Sequence, residues 1–521
     1  MKKLFTLFFT ILSLSQLMAD DIVWTFPPTT LSTATVNSSD PQIAIDANGD
    51  LVAAWVENGF IKASTKTVSG SWVAPVTLSA TGASSPRITA DLSGNAAAIW
   101  LEGGVVKGAT KPFAGSWTSS TTLSSTTATS PSLAVDAAGD VVAVWARGAN
   151  IESSTKLFGA AWQAKVQITS AAAAAPHVAI GGSGANTRAV VVWQGTSSGA
   201  NVVFASSKLI SGSWSAQQVI SDINHSAGYA HVALDASANA TAVWYEYNLT
   251  GSIYSQVTAQ AATRDAATGV WSPAVAISSP GAFNPANLVA RVSYDANGNA
   301  IAIWNNSFDG ATFTIQSAVK PVREDWSTPV EVVNNLYAYE VDLAVSSLGD
   351  AIASYMFYNG SSLLVQSTEI NFSGFLENAW AVPINLSSGT NNGFPRLAAT
   401  LTGNVINAAA VWINSNSHTT IQAATGTKAV VLPPSGLSVT QSVNNFGVFN
   451  EYYNTLSWTA STDPDLVGYA IFRNGVFFET VGATVVSIVD HNKAQNGPVT
   501  YGVAAINSQN SQSRVVNVSF P

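Results

Sequence analysis

Eight residues able to do chemistry stand at one recurring position in an otherwise apolar pattern: Gln42, Arg87, Ser132, His177, His231, Arg291, Asp342 and Arg396. In each copy the next residue is aliphatic and the one after it is Ala, Ser or Thr. Variable polar groups inside a repeat that is otherwise apolar point to a channel mouth, where water or a ligand replaces a packing partner. The chemistry on offer is recognition: guanidinium and imidazole donors together with one carboxylate acceptor.

The segments around this position are unequal. SATGASSP, SSTTATSP and SAAAAAP lead into copies two to four and offer little to hold a ligand. NHSAGYAH, PGAFNPAN, NLYAYE and NNGFP lead into copies five to eight, and YEYN, NNSFDG and MFYNG are read as loops further along those copies. Rings beside charges suit sugars or peptides, because rings stack on apolar patches while polar groups fix orientation. The candidate ligand-binding residues are therefore His231, Tyr245, Glu246, Tyr247, Arg291, Phe308, Asp309, Asp342, Phe357, Tyr358, Phe394 and Arg396. The competing reading, that exposed loop aromatics pack on one another, stays open.

The elements that must position these residues follow from a repeat. PQIAIDANGDLVAAW, PRITADLSGNAAAIW and PSLAVDAAGDVVAVW are tight copies, and looser ones end at Trp193, Trp244, Trp304, Tyr355 and Trp412, at intervals of 45 to 60 residues. Each copy holds four runs rich in Val, Ile, Thr and Ala between turn residues, the signature of antiparallel strands. In the first copy these are PQIAI, LVAAWV, FIKASTK and WVAPVTLS. Four strands per repeat of this length predict propeller blades. Seven copies carry a Trp at the start of the fourth strand; the eighth lacks it, and Trp24 in VWTFPPTTLS stands alone before the first copy. The N-terminal 22–32 segment is therefore predicted to supply the outer strand of the last blade and to close an eight-bladed ring. The aspartates Asp46, Asp91, Asp136, Asp235 and Asp295 read as turn residues, since DANGD lacks the further carboxylates of a calcium cage.

The chain has 521 residues, 10% charged, net charge −9 and no cysteine. Disulfides and thiol chemistry are excluded. With no cluster of Lys or Arg, nucleic acid is not an expected partner. MKKLFTLFFTILSLSQLMAD has the layout of a cleaved secretory signal over residues 1–19, so the chain is read as exported, to the periplasm, cell surface or medium, and no membrane insertion is expected. The reading is an all-β monomer with no cofactor and no metal.

The repeats over 22–427 resemble those of bacterial β-propeller proteins, and loosely the sialidase superfamily, although here Trp follows Asp by nine residues and the family's box lies elsewhere in the blade. From Lys428 the register changes; PPSGL at 433–437, TLSWTAS with Trp458, DPDLVGYAIFRNG and VTYGVAAIN with Tyr501 resemble a fibronectin type III domain over 428–521. The resemblance implies a propeller at 20–427 followed by that module. Two functions remain: a non-catalytic protein binding a glycan or protein ligand on the upper face, or a sialidase-like glycoside hydrolase or lyase. The second would use Arg87, Arg291 and Arg396 on a carboxylate, with Glu246, Asp309 and Asp342 as candidate acid and nucleophile. Uneven spacing of copies two, six and eight argues against the three arginines converging.

Overall fold

The computed structural model describes residues 21–520 other than 126, 170–171, 198, 251–252, 284–287, 308–311, 334–336, 372–379 and 416. The N-terminal segment read as a signal lies outside these. The chain divides into two compact units, Ile22–Thr427 and Lys428–Pro521. Both are all-β, and the described residues contain no α-helix.

Residues Ile22–Thr427 form eight blade-like antiparallel sheets of four or five strands. The first is Ser38–Ile45, Leu51–Glu57, Phe60–Lys66 and Val76–Thr77, paired in chain order. Sheets two to seven follow the same order, beginning at Ala83, Ala128, Ala173, Ser226, Ala290 and Ala338. The eighth comprises Asn392–Thr402, Val405–Ser415 and Thr419–Ala429, and on its outer strand lie Val23–Trp24 and Thr29–Thr30 from the opposite end of the chain. Thr25 and Leu31 N–H groups bond Thr425 and Ile421 carbonyls, both at 2.8 Å. The outer strands are shorter than WVAPVTLS suggests: only Val76 and Thr77 pair regularly, and the outer strands of sheets two to five are equally short.

The second strand of each sheet is the buried one, and the first is only half-buried. The eight first strands face an axial channel, packing on one another in chain order and, from the eighth, back on the first. The rings of Trp55, Trp100, Trp145, Trp193, Trp244, Trp304 and Trp412, on the second strands, are fully buried. Six of them pack on the preceding sheet, as Trp145 does on Ile99 and Val106, and Trp55 on Val411 and Ile421 of the eighth. A buried ring removes about 150–250 Å2 from water, a gross gain of about 4–6 kcal/mol before entropy is counted.

At one end of the channel the turns are built from aspartates. Asp46 Oδ1 accepts the N–H groups of Asn48 and Asp50, both at 2.8 Å, and Asp91, Asp136, Asp235 and Asp295 repeat the arrangement. Gly49 takes the left-handed φ of +87° that the turn requires. A cavity of about 400 Å3 there is lined mainly by apolar residues such as Leu92, Leu234, Val345 and Leu401. The charged and polar residues of the first strands lie towards the other end.

In Lys428–Pro521 a three-stranded and a four-stranded sheet enclose Trp458, Tyr469, Tyr501 and Val503. Trp458 and Tyr469 meet edge to face at 5.3 Å. The Tyr501 hydroxyl donates to the Asp490 carboxylate at 2.5 Å and accepts from Asn454 Nδ2. Tyr501 is therefore anchored by a side-chain pair.

Candidate functional site

Near the start of the first strand, seven of the eight sheets carry a β-bulge at an equivalent place. The register shifts between Ser39 and Gln42, Ser84 and Arg87, Thr129 and Ser132, Ala174 and His177, Gly228 and His231, Tyr339 and Asp342, and Gly393 and Arg396. Two residues there oppose one large buried ring, as Asp40 and Pro41 oppose Trp55. The residue two before the polar position takes a left-handed φ although it is not glycine: Asp40, Ser85, Ser130, Ala175, Tyr229, Glu340 and Phe394, between 48° and 60°. For a ring such as Tyr229 or Phe394 this backbone is strained. A bulge re-aims the side chains that follow it, and here it does so around the channel.

The polar position itself divides by chemistry. In four sheets it accepts a hydrogen bond that ties one sheet to the next. Ser132 Oγ accepts the N–H of Val178 at 3.2 Å, His177 Nδ1 that of Val232 at 3.3 Å, His231 Nδ1 that of Val292 at 3.4 Å, and Asp342 Oδ2 that of Leu397 at 2.9 Å. The sequence reading saw a position that packing does not need; in these four sheets it is needed. Because Nδ1 accepts, both imidazoles are assigned the tautomer with hydrogen on Nε2.

Arginine has no acceptor and cannot make that tie. Arg87 and Arg396 each place Nη1 on the carbonyl of their own preceding proline at 2.8 Å, and Arg291 on Ala290 at 3.0 Å. Arg291 Nε also donates to Asp342 Oδ1 at 3.2 Å, which fixes that carboxylate between a guanidinium and the Leu397 N–H. The remaining guanidinium donors of Arg87 and Arg396 have no hydrogen bond among the described residues.

Charge couples several of these residues. Burial, then the charges of Arg396 and Arg291, push Arg87 down to about 10, with Asp40 opposing. Burial lowers Arg291 as well, Asp342 working against it and Arg396 adding to it. Burial, with Arg291 and Arg87, holds His177 down at about 3, and burial, His177 and Arg291 hold His231 well below the usual imidazole range. The two imidazoles lie 3.8 Å apart and are neutral at ordinary pH. Arg87 and Arg291 thus each feel the charge of Arg396. Arg87 and His177, left off the candidate set because their neighbouring loops are plain, belong to the ring; their shared register position was the signal.

Other candidates fall differently. Tyr245, Glu246 and Tyr247 are not loop residues but lie within the strand Ala240–Thr250, buried. The Tyr245 hydroxyl bonds the carbonyls of Val289 and Asn305 at 2.9 and 2.8 Å, and burial raises its pKa. Glu246 accepts Trp244 Nε1 at 3.2 Å and the Asp222 N–H at 3.0 Å, as Glu102 does for Trp100 and Ala80. A glutamate two residues after the buried ring is thus a tryptophan cap. Phe357 and Tyr358 end the strand Ala351–Tyr358, where Tyr358 meets Tyr337 edge-on at 6.0 Å. Phe394 is 48% exposed on its bulge, and Tyr229 38% exposed on another. Phe308 and Asp309 lie outside the described residues. Among the described residues no group of three or more His, Asp or Glu could hold a metal ion, and no helix is long and apolar enough to cross a membrane.

No family model matches the chain, and no curated protein matches it. Among solved structures it resembles a protein of unknown function from Dyadobacter fermentans DSM 18053, at 11% identity over 77% of this chain and 98% of that one, with a TM-score of 0.39. It also resembles a Hadza microbial sialidase, at 11% identity over 76% of this chain and 94% of that one, TM-score 0.28. The spore cortex lytic enzyme of Clostridium perfringens matches at 15% identity over 24% of this chain and 38% of that one, TM-score 0.16. Likenesses of this size carry neither fold nor function, which rest on the geometry of this chain.

Proposed function

We propose that the chain is an exported binding protein in which an eight-bladed β-propeller, closed by its own N-terminal strands, seats a carboxylate-bearing glycan at one channel mouth, and a fibronectin type III module follows. Closure is supported by the pairing of Val23–Trp24 with the strand Thr419–Ala429. The second module is supported by its three- and four-stranded sheets around Trp458.

One observation carries the functional reading: three arginines and two neutral imidazoles share a ring with one internal carboxylate, Asp342, whose oxygens are already engaged. Such a ring offers N–H donors in excess of acceptors, which suits a carboxylate held by guanidinium forks. Asp40 and Glu340, on the bulges, supply acceptors for sugar hydroxyls, and Tyr229 and Phe394 supply ring faces. Of the carboxylates first considered for a hydrolase, Glu246 caps Trp244 and Asp342 is held by Arg291 and Leu397, so neither is free for acid or nucleophile work.

The test is direct titration of residues 20–521 with uronate- and sialate-containing oligosaccharides, matched neutral ones, and a parallel assay of glycoside cleavage. Saturable binding of acidic glycans alone, without turnover, is expected. Preference for neutral glycans would remove the role given to the arginines, and turnover would replace the binding reading with the enzymatic one.

A further inference from the structure

A second, separate collection of cations lies between the outer halves of sheets four and five. Arg264 ends the strand Ile253–Arg264 and bridges to Trp271. It is only 6% exposed, and its buried Nη1 has no hydrogen-bond partner among the described residues. Burying an unpaired guanidinium donor is among the costlier arrangements a fold can hold. A second cation, Arg188, lines the same pocket at the start of the strand Arg188–Ser197, with its Nη1 on Ser207 Oγ at 3.3 Å. The hydroxyl of Ser207 accepts there and keeps its own O–H to donate.

No carboxylate lines the pocket. Asp265, beside it, partly opposes the lowering of Arg264 by burial and by Arg188, and its Oδ1 accepts the N–H and hydroxyl of Thr268 at 2.7 and 2.8 Å. Gly269, at φ +75°, leaves the guanidinium its room: a Cβ there would lie 3.0 Å from Arg264 Nη2. The enclosed space is about 150 Å3 with the Trp271 ring in its wall, well below the roughly 300–1,000 Å3 of clefts that take organic ligands.

We propose that this pocket binds a small oxyanion, sulfate, phosphate or a carboxylate, through Arg188, Arg264 and the Ser207 hydroxyl, independently of the channel ring. Two guanidinium groups facing one enclosed space with a spare hydroxyl donor are the chemistry of oxyanion capture.

The test follows thermal unfolding of residues 20–521 against sodium sulfate, inorganic phosphate and acetate at constant ionic strength. Sulfate and phosphate also stabilise proteins generally, by exclusion from the surface, which gives a rise without saturation in every variant. Binding gives a saturable rise on top of it. For at least one anion, wild type should show saturation, and Arg264→Met and Arg188→Gln should raise the half-saturating concentration tenfold or more. The Arg291→Ala/Arg396→Ala variant should keep it. If Arg264→Met does not fold, Arg188→Gln, at the pocket rim, carries the comparison. An unsaturable rise in wild type, an unchanged half-saturation in Arg188→Gln, or loss of saturation only in the channel variant would each overturn the proposal, the last by moving the anion to the channel.

Discussion

At the scale of single residues, the ring around the channel combines two kinds of work that sequence alone does not separate. His177 and His231 are acceptors for the next sheet and must be neutral to accept. Arg87 and Arg396 cannot accept at all and are left with free donors. The neutrality of the imidazoles has a consequence for stability. His177 is held at about 3 by burial, Arg291 and Arg87, and His231 is likewise depressed, whereas the unfolded chain protonates each near 6.5. Between those values the unfolded state binds more protons, so stability rises with pH and is lost as pH falls from about 6.5 towards 3. Each histidine adds a slope of up to about 1.4 kcal/mol per pH unit. Urea unfolding from pH 7 to pH 4 should therefore weaken wild type more steeply than a His177→Gln/His231→Gln variant, which keeps an acceptor and loses the titration. Parallel pH dependence in the two proteins would show that the imidazoles are not buried neutral.

At the scale of elements, the bulge and the chain ends matter most. The Pro-x-aliphatic-Ala phrase made the first strands legible, and the position of the variable polar residue could be read off it. The bulge could not, because nothing in Asp40, Ser85, Ala175 or Phe394 announces a left-handed φ; it arises where a large buried ring opposes two residues. YEYN was misread as a loop for a related reason: Tyr245, Glu246 and Tyr247 are buried, so the strand runs on through it, whereas MFYNG leaves its strand after Tyr358. The join of the ends was legible from counting, since seven outer-strand tryptophans and eight repeats leave one strand to be found. Val23–Trp24 and Thr29–Thr30 fill that place, the Ile22 N–H bonds Glu369, and Trp24 is buried against Gly426. Removing residues 20–32 should therefore expose the outer strand of the eighth sheet as an unpaired edge. The expected result is a large fall in melting temperature or aggregation, read by scanning calorimetry and light scattering; an unchanged melting temperature would rule out closure by the N-terminus.

At the scale of the molecule, Ile22–Thr427 repeats one packing solution eight times and spends the variation at a single ring. The two channel ends are unlike. The aspartate turns use their carboxylates on backbone N–H groups and leave an apolar cavity, while the bulged end gathers Arg87, Arg291, Arg396, His177 and His231. That gathering was only half legible: register showed which residues share a position, but whether positions in sheets two, six and eight lie within reach depends on channel width, which no residue type encodes. The central claim is that the three arginines act together on one carboxylate. The measurement that tests it is a side-by-side titration of wild type, Arg87→Ala, Arg291→Ala and Arg396→Ala with an acidic oligosaccharide that wild type binds. Loss of a charge-assisted contact is worth about 1–3 kcal/mol, so every variant, Arg87→Ala included, should bind about 5- to 150-fold more weakly, with the melting temperature little changed in Arg87→Ala and Arg396→Ala. Wild-type affinity in Arg87→Ala and Arg396→Ala would contradict the account.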